Sequence, residues 1–265
     1  MKTVSPTQKG LTPMPFVEIA TGATLHYETW NEEAGGTPVV VLHGMLGTAT
    51  IDLADTNAFL AEQGYRVIAP TLRGYGESLP KPRDFPTGFY RRDADDVLAF
   101  LDALGVARCH IVGYSDGGEI SLICAGLQPK RFVSAAVWGA VGFFGEDMRP
   151  VAQRLVNGEW ITPFELELHH ITNAQAFATA WVRAIVRYID MGGDISISLA
   201  PFIACPVLMM LGERDALNPS YYAKRFLTKV RKGDLAMFDA GHPIHTQQPE
   251  AFRHVLLEHL KTAGA

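Results

Sequence analysis

The sequence predicts an α/β fold: a mostly parallel central sheet with helices on both faces and a helical cap inserted late in the sheet. Three observations carry the expectation. Short apolar runs rich in β-branched residues, such as V-V-V-L at 39–42, have the unbroken hydrophobicity of strands buried on both faces. Helical stretches separate these runs one by one, as the crossovers between parallel strands require. The alternation then lapses from Phe143 to about Ala200 and resumes at Pro206. The 265 residues are read as one domain, 1–265, with the cap at about 143–200.

Each element has its own signal. Thr24 to Trp30 alternates in period two and reads as a strand, paired with Phe16 to Ile19 across the turn at Thr21-Gly22. Pro38 opens V-V-V-L-H-G, which Gly44 ends. Ile51 to Gln63 is helical in pattern and Gly64 stops it, after which Y-R-V-I-A-P gives another strand and R-G-Y-G-E-S at 73–78 a turn. The clearest amphipathic helix runs from Thr87 to Leu104. Its apolar positions Tyr90, Ala94, Val97, Leu98, Leu101 and Leu104 follow three-four spacing, with Arg91, Arg92, Asp95 and Asp96 on the opposite face. Gly105 ends it.

Cys109 to Gly113 is again a buried strand, leading through G-Y-S-D-G-G into an apolar helix, Glu119 to Leu127. Phe132 to Val141 is a further strand. Between 143 and 200 the best helical stretch is Trp181 to Ile189. Then follow the P-V-L-M-M-L-G strand, a helix near Tyr221 to Val230, the strand Leu235 to Phe238 and a closing helix from Pro249 to Leu260.

Composition narrows the function classes. With 48% apolar and 19% charged residues, the chain can bury a sizeable core. A formal net charge of −5 and the absence of any Lys/Arg run argue against a nucleic-acid or anionic-membrane surface, leaving small molecules as partners. Cys109, Cys124 and Cys205 form no C-x-x-C pair and lie in apolar surroundings, as buried free thiols suited to a reducing compartment do. The amino-terminal segment is polar and broken by proline, unlike a signal peptide, and no apolar run matches a membrane span. The expectation is a soluble cytoplasmic protein.

The chemistry centres on Gly113-Tyr114-Ser115-Asp116-Gly117. A serine hydroxyl is a weak nucleophile that needs a base and must stand clear of the sheet. Small residues two before and two after it permit the sharp strand-to-helix turn that exposes it. An acid and a base should follow in that order. Asp215, in L-G-E-R-D just past the P-V-L-M-M strand, is preferred to Glu213 on spacing. His242, in D-A-G-H after the last strand, is preferred to His245 because Gly241 lets the chain swing it over the nucleophile. Asp239 is read as a loop residue. The backbone N–H groups of Met45, in H-G-M-L-G, and of Asp116 are the candidate oxyanion donors. His43 fits a loop-bracing role, and His169 and His170 a surface or pocket-lining one; they show no third ligand at metal-site spacing. The expectation is catalysis with no cofactor and no metal.

Asp116 is the unusual choice. A carboxylate about 5 Å from a developing oxyanion opposes it by about 3 kcal/mol at an effective dielectric near 20. Its place at a helix amino terminus returns only about 0.3–1 kcal/mol. A substrate ammonium close to the scissile carbonyl would neutralise the conflict, so Asp116 is the candidate substrate anchor.

The ordered motifs H-G-M-L-G, R-G-Y-G-E-S, G-Y-S-D-G-G, G-E-R-D and G-H resemble the α/β-hydrolase superfamily. More narrowly, R-D-F-P at 83–86, R-D-A at 92–94, S-D-G-G and V-W-G-A at 137–140 resemble the valacyclovir hydrolase (biphenyl hydrolase-like) proteins. The likeness runs from about residue 16 to the last helix, closest from Arg73 to Ala140 and loose in the cap. It implies hydrolysis of α-amino acid esters through an acyl-enzyme, with Asp116 holding the substrate's α-ammonium. A general carboxylesterase or a carbon–carbon bond hydrolase on the same fold is the alternative. Asp116 argues against the second, whose substrates are anionic, and Ser115 against relatives that use a carboxylate nucleophile. A binding protein that keeps the triad but turns over slowly is the reading from a different class.

Overall fold

A computed structural model of the chain describes residues 15–264. The polar amino-terminal segment discussed above lies almost wholly outside them, in residues 1–14. Strands β1 (Phe16–Glu18) and β2 (Thr24–Trp30) form an antiparallel hairpin. Then come β3 (Val39–Leu42), α1 (Ala54–Glu62), β4 (Val67–Pro70), α2 (Phe89–Ala103), β5 (Cys109–Tyr114), α3 (Asp116–Leu127) and β6 (Phe132–Trp138). A helical stretch follows: a 3-10 turn at Glu146–Met148, α4 (Arg149–Gln153), α5 (Pro163–Leu168) and α6 (Ala174–Asp190). The chain closes with β7 (Val207–Gly212), α7 (Ser220–Leu227), β8 (Gly233–Phe238), α8 (Ile244–Gln247) and α9 (Pro249–Gly264).

The eight strands form one sheet in the order β1-β2-β4-β3-β5-β6-β7-β8. Only the β1/β2 and β2/β4 pairings are antiparallel, so the sheet is mostly parallel, as the buried apolar runs predict. Side chains on successive strand positions enter opposite cores. Val40, Leu42, Ile111 and Val137 pack under α2, α3 and α6 on one face. Val39, Val41, Val112 and Trp138 pack against α1 and α9 on the other. This two-sided burial is why period-two alternation is missing from the central strands.

Several boundaries differ from the sequence reading, each for a local reason. Helix α3 starts at Asp116, three residues before the expected Glu119, because two glycines weaken the helical signal in its first turn. Strand β6 stops at Trp138 rather than Val141, since Gly139 turns away with φ +60°. Helix α6 begins at Ala174, seven residues early, where the Asn173 side chain accepts from the Ala176 N–H at 2.9 Å. Residues 51–53 are turn rather than helix.

The polar face of α2 holds a correction. Asp96, expected among its outward residues, is 1% exposed and takes two hydrogen bonds from Arg73, at 2.6 and 2.7 Å. Asp93 is likewise buried and paired with Arg83 at 2.5 Å. Both arginines come from the 73–86 segment and fasten it to α2.

The helical stretch from 143 to 200 leaves and re-enters the body at one place. Phe143 bridges Asp194, and the Gly142 carbonyl accepts from Ser196 and Ile197 at 3.0 and 3.1 Å. From this root α6 turns Phe177, Trp181 and Ile185 inward at four-residue spacing, which places the stretch over the carboxyl ends of the strands. No helix among the described residues is long and apolar enough to cross a membrane.

Candidate active site

Ser115 stands between β5 and α3 with φ 53° and ψ −120°, a backbone region costly for a residue with a Cβ. Its amide donates to the Trp138 carbonyl at 2.8 Å, and its carbonyl accepts from Gly118 and Glu119 as the first turn of α3. The flanking glycines are required by contact. A Cβ at Gly113 would strike the Gly117 carbonyl and the Ser121 hydroxyl, and one at Gly117 the carbonyls of Leu42 and His43. The turn therefore lifts the serine hydroxyl clear of the sheet while its backbone is tied on both sides.

The side chains of Asp215 and His242 meet it there. His242 Nε2 lies 3.0 Å from Ser115 Oγ, and His242 Nδ1 lies 2.8 Å from Asp215 Oδ2. Asp215 is buried, whereas Glu213 is exposed. Burial works against the Asp215 charge, but hydrogen bonds from His242, Asn218 and the Leu217 amide outweigh it. They hold the carboxyl below its ordinary value. An ionised Asp215 fixes the proton of His242 on Nδ1 and leaves Nε2 free to accept from Ser115.

The glycines that allow this approach are not the one expected. Gly241 has no positive φ, and a Cβ there would meet nothing nearer than Gln247 at 3.6 Å. The close contacts fall instead at Gly212 and Gly139. A Cβ on Gly212 would collide with the Gly241 carbonyl, and one on Gly139 would sit 2.7 Å from His242 Cε1. The loops carrying Asp215 and His242 are then zipped together by Glu213 N–H to Phe238 O and Arg214 N–H to Ala240 O, at 2.8 and 2.9 Å. His245 lies in α8, buried, and accepts from the Trp138 indole at 3.0 Å. Asp239 is exposed and paired with Arg214.

Opposite the imidazole runs the loop after β3. A Cβ on Gly44 would come within 3.1 Å of Ser115 Cβ, so this backbone passes directly beside Ser115. Among the described residues, neither the Met45 nor the Asp116 amide donates to a backbone carbonyl. His43 braces the loop: its Nδ1 donates to Gly44 O at 2.7 Å and its Nε2 accepts from Leu72 N–H at 2.9 Å. Burial lowers its pKa to about 4, as a ring held neutral by two backbone groups requires. His169 is a correction. It is neither at the surface nor in the pocket but 1% exposed, donating to Leu46 O at 2.8 Å and accepting from Gly76 N–H at 2.9 Å. His170 is exposed, 3.6 Å from Glu77.

A pocket opens at Ser115. Its walls toward the helical stretch are apolar: Phe144, Met148, Ala152, Trp181 and Ile185. Asp116 and Glu119 supply its acidic side. Asp116 is 5% exposed; Oδ1 accepts from the Tyr90 hydroxyl at 2.6 Å, while Oδ2 is buried with no hydrogen-bond partner. The Trp181 indole N–H, also unpartnered, faces the same carboxyl. Burial raises the Asp116 pKa, against the Tyr90 hydrogen bond and the Arg83 charge. Glu119 differs, because both its oxygens are occupied by the amides of Val141 and Gly142 at 2.8–3.1 Å, although burial lifts it to about 7.

Three of these residues escape the sequence reading. The apolar stripe of α2 accounts for the Tyr90 ring, but the hydroxyl is aimed at Asp116. Asn218 carries no motif beyond its place three residues after Asp215, and Glu119 is hidden inside an otherwise apolar helix.

Comparison with known proteins gives one family. The model of the "Alpha/beta hydrolase family" matches residues 39–255. Serine hydrolase BPHL of Mus musculus is 30% identical over 246 residues, covering 91% of this chain and 84% of that protein. Among solved structures, the enol-lactonase of Burkholderia xenovorans LB400 superposes with a TM-score of 0.71 at 23% identity, covering 93% of this chain and all of that one. The 2-hydroxy-6-oxo-6-phenylhexa-2,4-dienoate hydrolase of Rhodococcus sp. strain RHA1 gives 0.73 at 20% identity, covering 94% and 99%. At these identities the two structures speak for the fold alone.

Proposed function

The chain belongs to the alpha/beta hydrolase family and is a serine hydrolase, and on that premise we propose that it cleaves carboxylic esters of α-amino acids through an acyl-enzyme on Ser115. One observation carries the substrate class: beside Ser115, in the cavity wall, Asp116 presents a buried carboxyl oxygen with no partner. An unpaired buried charge is costly, and this one opposes the oxyanion that must form next to it. An α-ammonium, two bonds from the scissile carbonyl carbon, removes both costs. Burial raises the Asp116 pKa, and an ammonium beside it favours the ionised form. Two carboxyl groups in the wall disfavour an anionic substrate of the carbon–carbon hydrolase kind.

In this reading His242 takes the Ser115 proton as Oγ attacks the ester carbonyl, and Asp215 stabilises the imidazolium through Nδ1. The Met45 and Asp116 amides receive the oxyanion, a contribution of about 10²–10³ in rate for each such donor. His242 then protonates the departing alcohol, and water enters by the same route to release the amino acid. The apolar wall formed by Phe144, Met148, Trp181 and Ile185 receives the amino acid side chain. No cofactor enters these steps, and the three buried free thiols suit a reducing compartment.

The test compares kcat/KM for phenylalanine methyl ester and for 3-phenylpropionate methyl ester, with Ser115→Ala as the blank. A preference of tenfold or more for the amino ester is expected. Equal rates would leave a general carboxylesterase, and turnover unaffected by Ser115→Ala would remove the serine mechanism.

A further inference from the structure

His169 sits at the end of α5, in the helical stretch over the site, yet its ring is buried among segments far away in sequence. It joins the cap to two loops of the body. Nε2–H donates to the Leu46 carbonyl across 123 residues, and Nδ1 accepts from the Gly76 amide across 93. The ring also packs edge-on against Tyr75, centroids 5.3 Å apart, and Tyr75 packs against His43 at 5.5 Å.

The Leu46 end of this bridge lies where the oxyanion loop is strained. Gly47 N–H donates to Gly44 O at 3.1 Å, closing a four-residue turn with Met45 and Leu46 at its centre. Leu46 has φ +61°, a conformation that a turn of this kind normally reserves for glycine. Left to itself, a leucine there favours relaxing to negative φ, which would turn the Met45–Leu46 and Leu46–Gly47 peptides, break the Gly47-to-Gly44 bond and so release the Gly44–Met45 peptide that carries the Met45 N–H. The bond from His169 holds the Leu46 carbonyl in place. His43, clasping Gly44 O from the other side, holds the start of the same turn.

We propose that His169 is a positioning residue for the oxyanion hole: from the cap, its Nε2–H holds the strained Gly44–Gly47 turn so that the Met45 amide faces Ser115. This rests on the reading of Ser115 as nucleophile and Met45 N–H as oxyanion donor. It follows that the oxyanion hole is complete only while α5 is seated, so cap and catalytic power are coupled through one ring. The essential contact is the one to Leu46. Gly76 belongs to a turn that its packing on Thr48 already supports.

The two bonds can be separated with amide side chains. In His169→Gln the terminal N–H reaches the position of Nε2 and can donate to Leu46 O. In His169→Asn the shorter side chain reaches only the position of Nδ1 and can satisfy Gly76 alone. His169→Phe keeps the ring and loses both bonds. The readouts are kcat and KM for phenylalanine methyl ester, and the affinity of a trifluoromethyl ketone analogue whose adduct carries the oxyanion. Folded fraction comes from circular dichroism, and reactive Ser115 from titration with a fluorophosphonate.

The expected result is a fall in kcat of about 10–100-fold in His169→Asn and His169→Phe, a partial loss of one donor's effect. KM should stay within threefold, the ketone should weaken in parallel with kcat, and His169→Gln should lie within fivefold of wild type. Asn and Gln variants of equal kcat, or losses that follow the folded fraction alone, would overturn the proposal. A wild-type protein that neither hydrolyses the ester nor reacts with the fluorophosphonate would instead overturn the reading on which it rests.

Discussion

Replacing Asp116 by asparagine keeps the shape of the side chain and the hydrogen bond from Tyr90 but removes the charge. For an ammonium about 4 Å from the carboxylate, the attraction at an effective dielectric near 20 is about 4 kcal/mol. Dehydration of the ammonium offsets part of this, and hydrogen bonds to charged groups are worth about 1.5–3 kcal/mol net. The variant should therefore lose about 2–3 kcal/mol toward an amino ester, a fall in kcat/KM of roughly 30–150-fold. The des-amino ester should respond in the opposite sense. With no ammonium to neutralise it, the Asp116 charge opposes the oxyanion, so its removal should leave the rate unchanged or raise it by up to about tenfold. Burial already favours the neutral carboxyl and limits that gain. The assay is kcat/KM for phenylalanine methyl ester and 3-phenylpropionate methyl ester at about pH 6, where the α-amino group is protonated. Opposite responses of the two esters are the signature. A parallel fall in both would mark simple damage to the site, and no change in either would refute the anchor.

Tyr90→Phe strips the hydroxyl donor from Asp116 Oδ1 and should lower amino-ester kcat/KM by about tenfold, with little effect on the des-amino ester. Gly139→Ala sets a methyl group 2.7 Å from His242 Cε1 at a residue with φ +60°, and should cut kcat by about 10²-fold or more. Circular dichroism should show it still folded. Arg83→Met removes the buried partner of Asp93 Oδ2 and leaves the carboxylate only Arg92 at 3.2 Å, which should cost about 3 kcal/mol and lower Tm by roughly 10 °C. The pH dependence of stability has two opposing parts. His43 is lowered from 6.5 to about 4, so its contribution of about 3 kcal/mol is present above 6.5 and lost as pH falls toward 4. Glu119 is raised from 4.5 to about 7, so its contribution is present below 4.5 and lost as pH rises through 7. Glu119→Gln removes the second part. Urea midpoints at pH 7 and pH 4.5 should then show a larger acid loss than in wild type, and an unchanged difference would refute the assignment.

The parts of this molecule that are legible in its sequence are those with a local signature. Unbroken apolar runs mark strands buried on both faces, and Gly113 and Gly117 mark a turn that contact geometry requires. The order Ser115, Asp215, His242 follows from where the strands end. What escaped depends on packing between distant segments. Tyr90 satisfies a helical stripe with its ring, and nothing in that stripe says where the hydroxyl goes. Asp96 looks like a solvent residue until Arg73 from the preceding loop covers it, and Arg83 covers Asp93 in the same way. His169 follows a helix of six residues none of which is buried, and its role is set by backbone groups at positions 46 and 76. The reading of Gly241 failed for a related reason: the space needed by His242 is made by Gly139 and Gly212, on other strands.

Ser115 as the acylated residue of an amino-ester hydrolase is most directly tested by mass analysis of the enzyme. Wild type would be mixed with phenylalanine p-nitrophenyl ester, quenched in acid within milliseconds and digested. One aminoacyl group on the peptide that contains Ser115, absent from Ser115→Ala and lost on longer incubation, is the expected result. Sustained turnover with no adduct, or an adduct on any other residue, would contradict it.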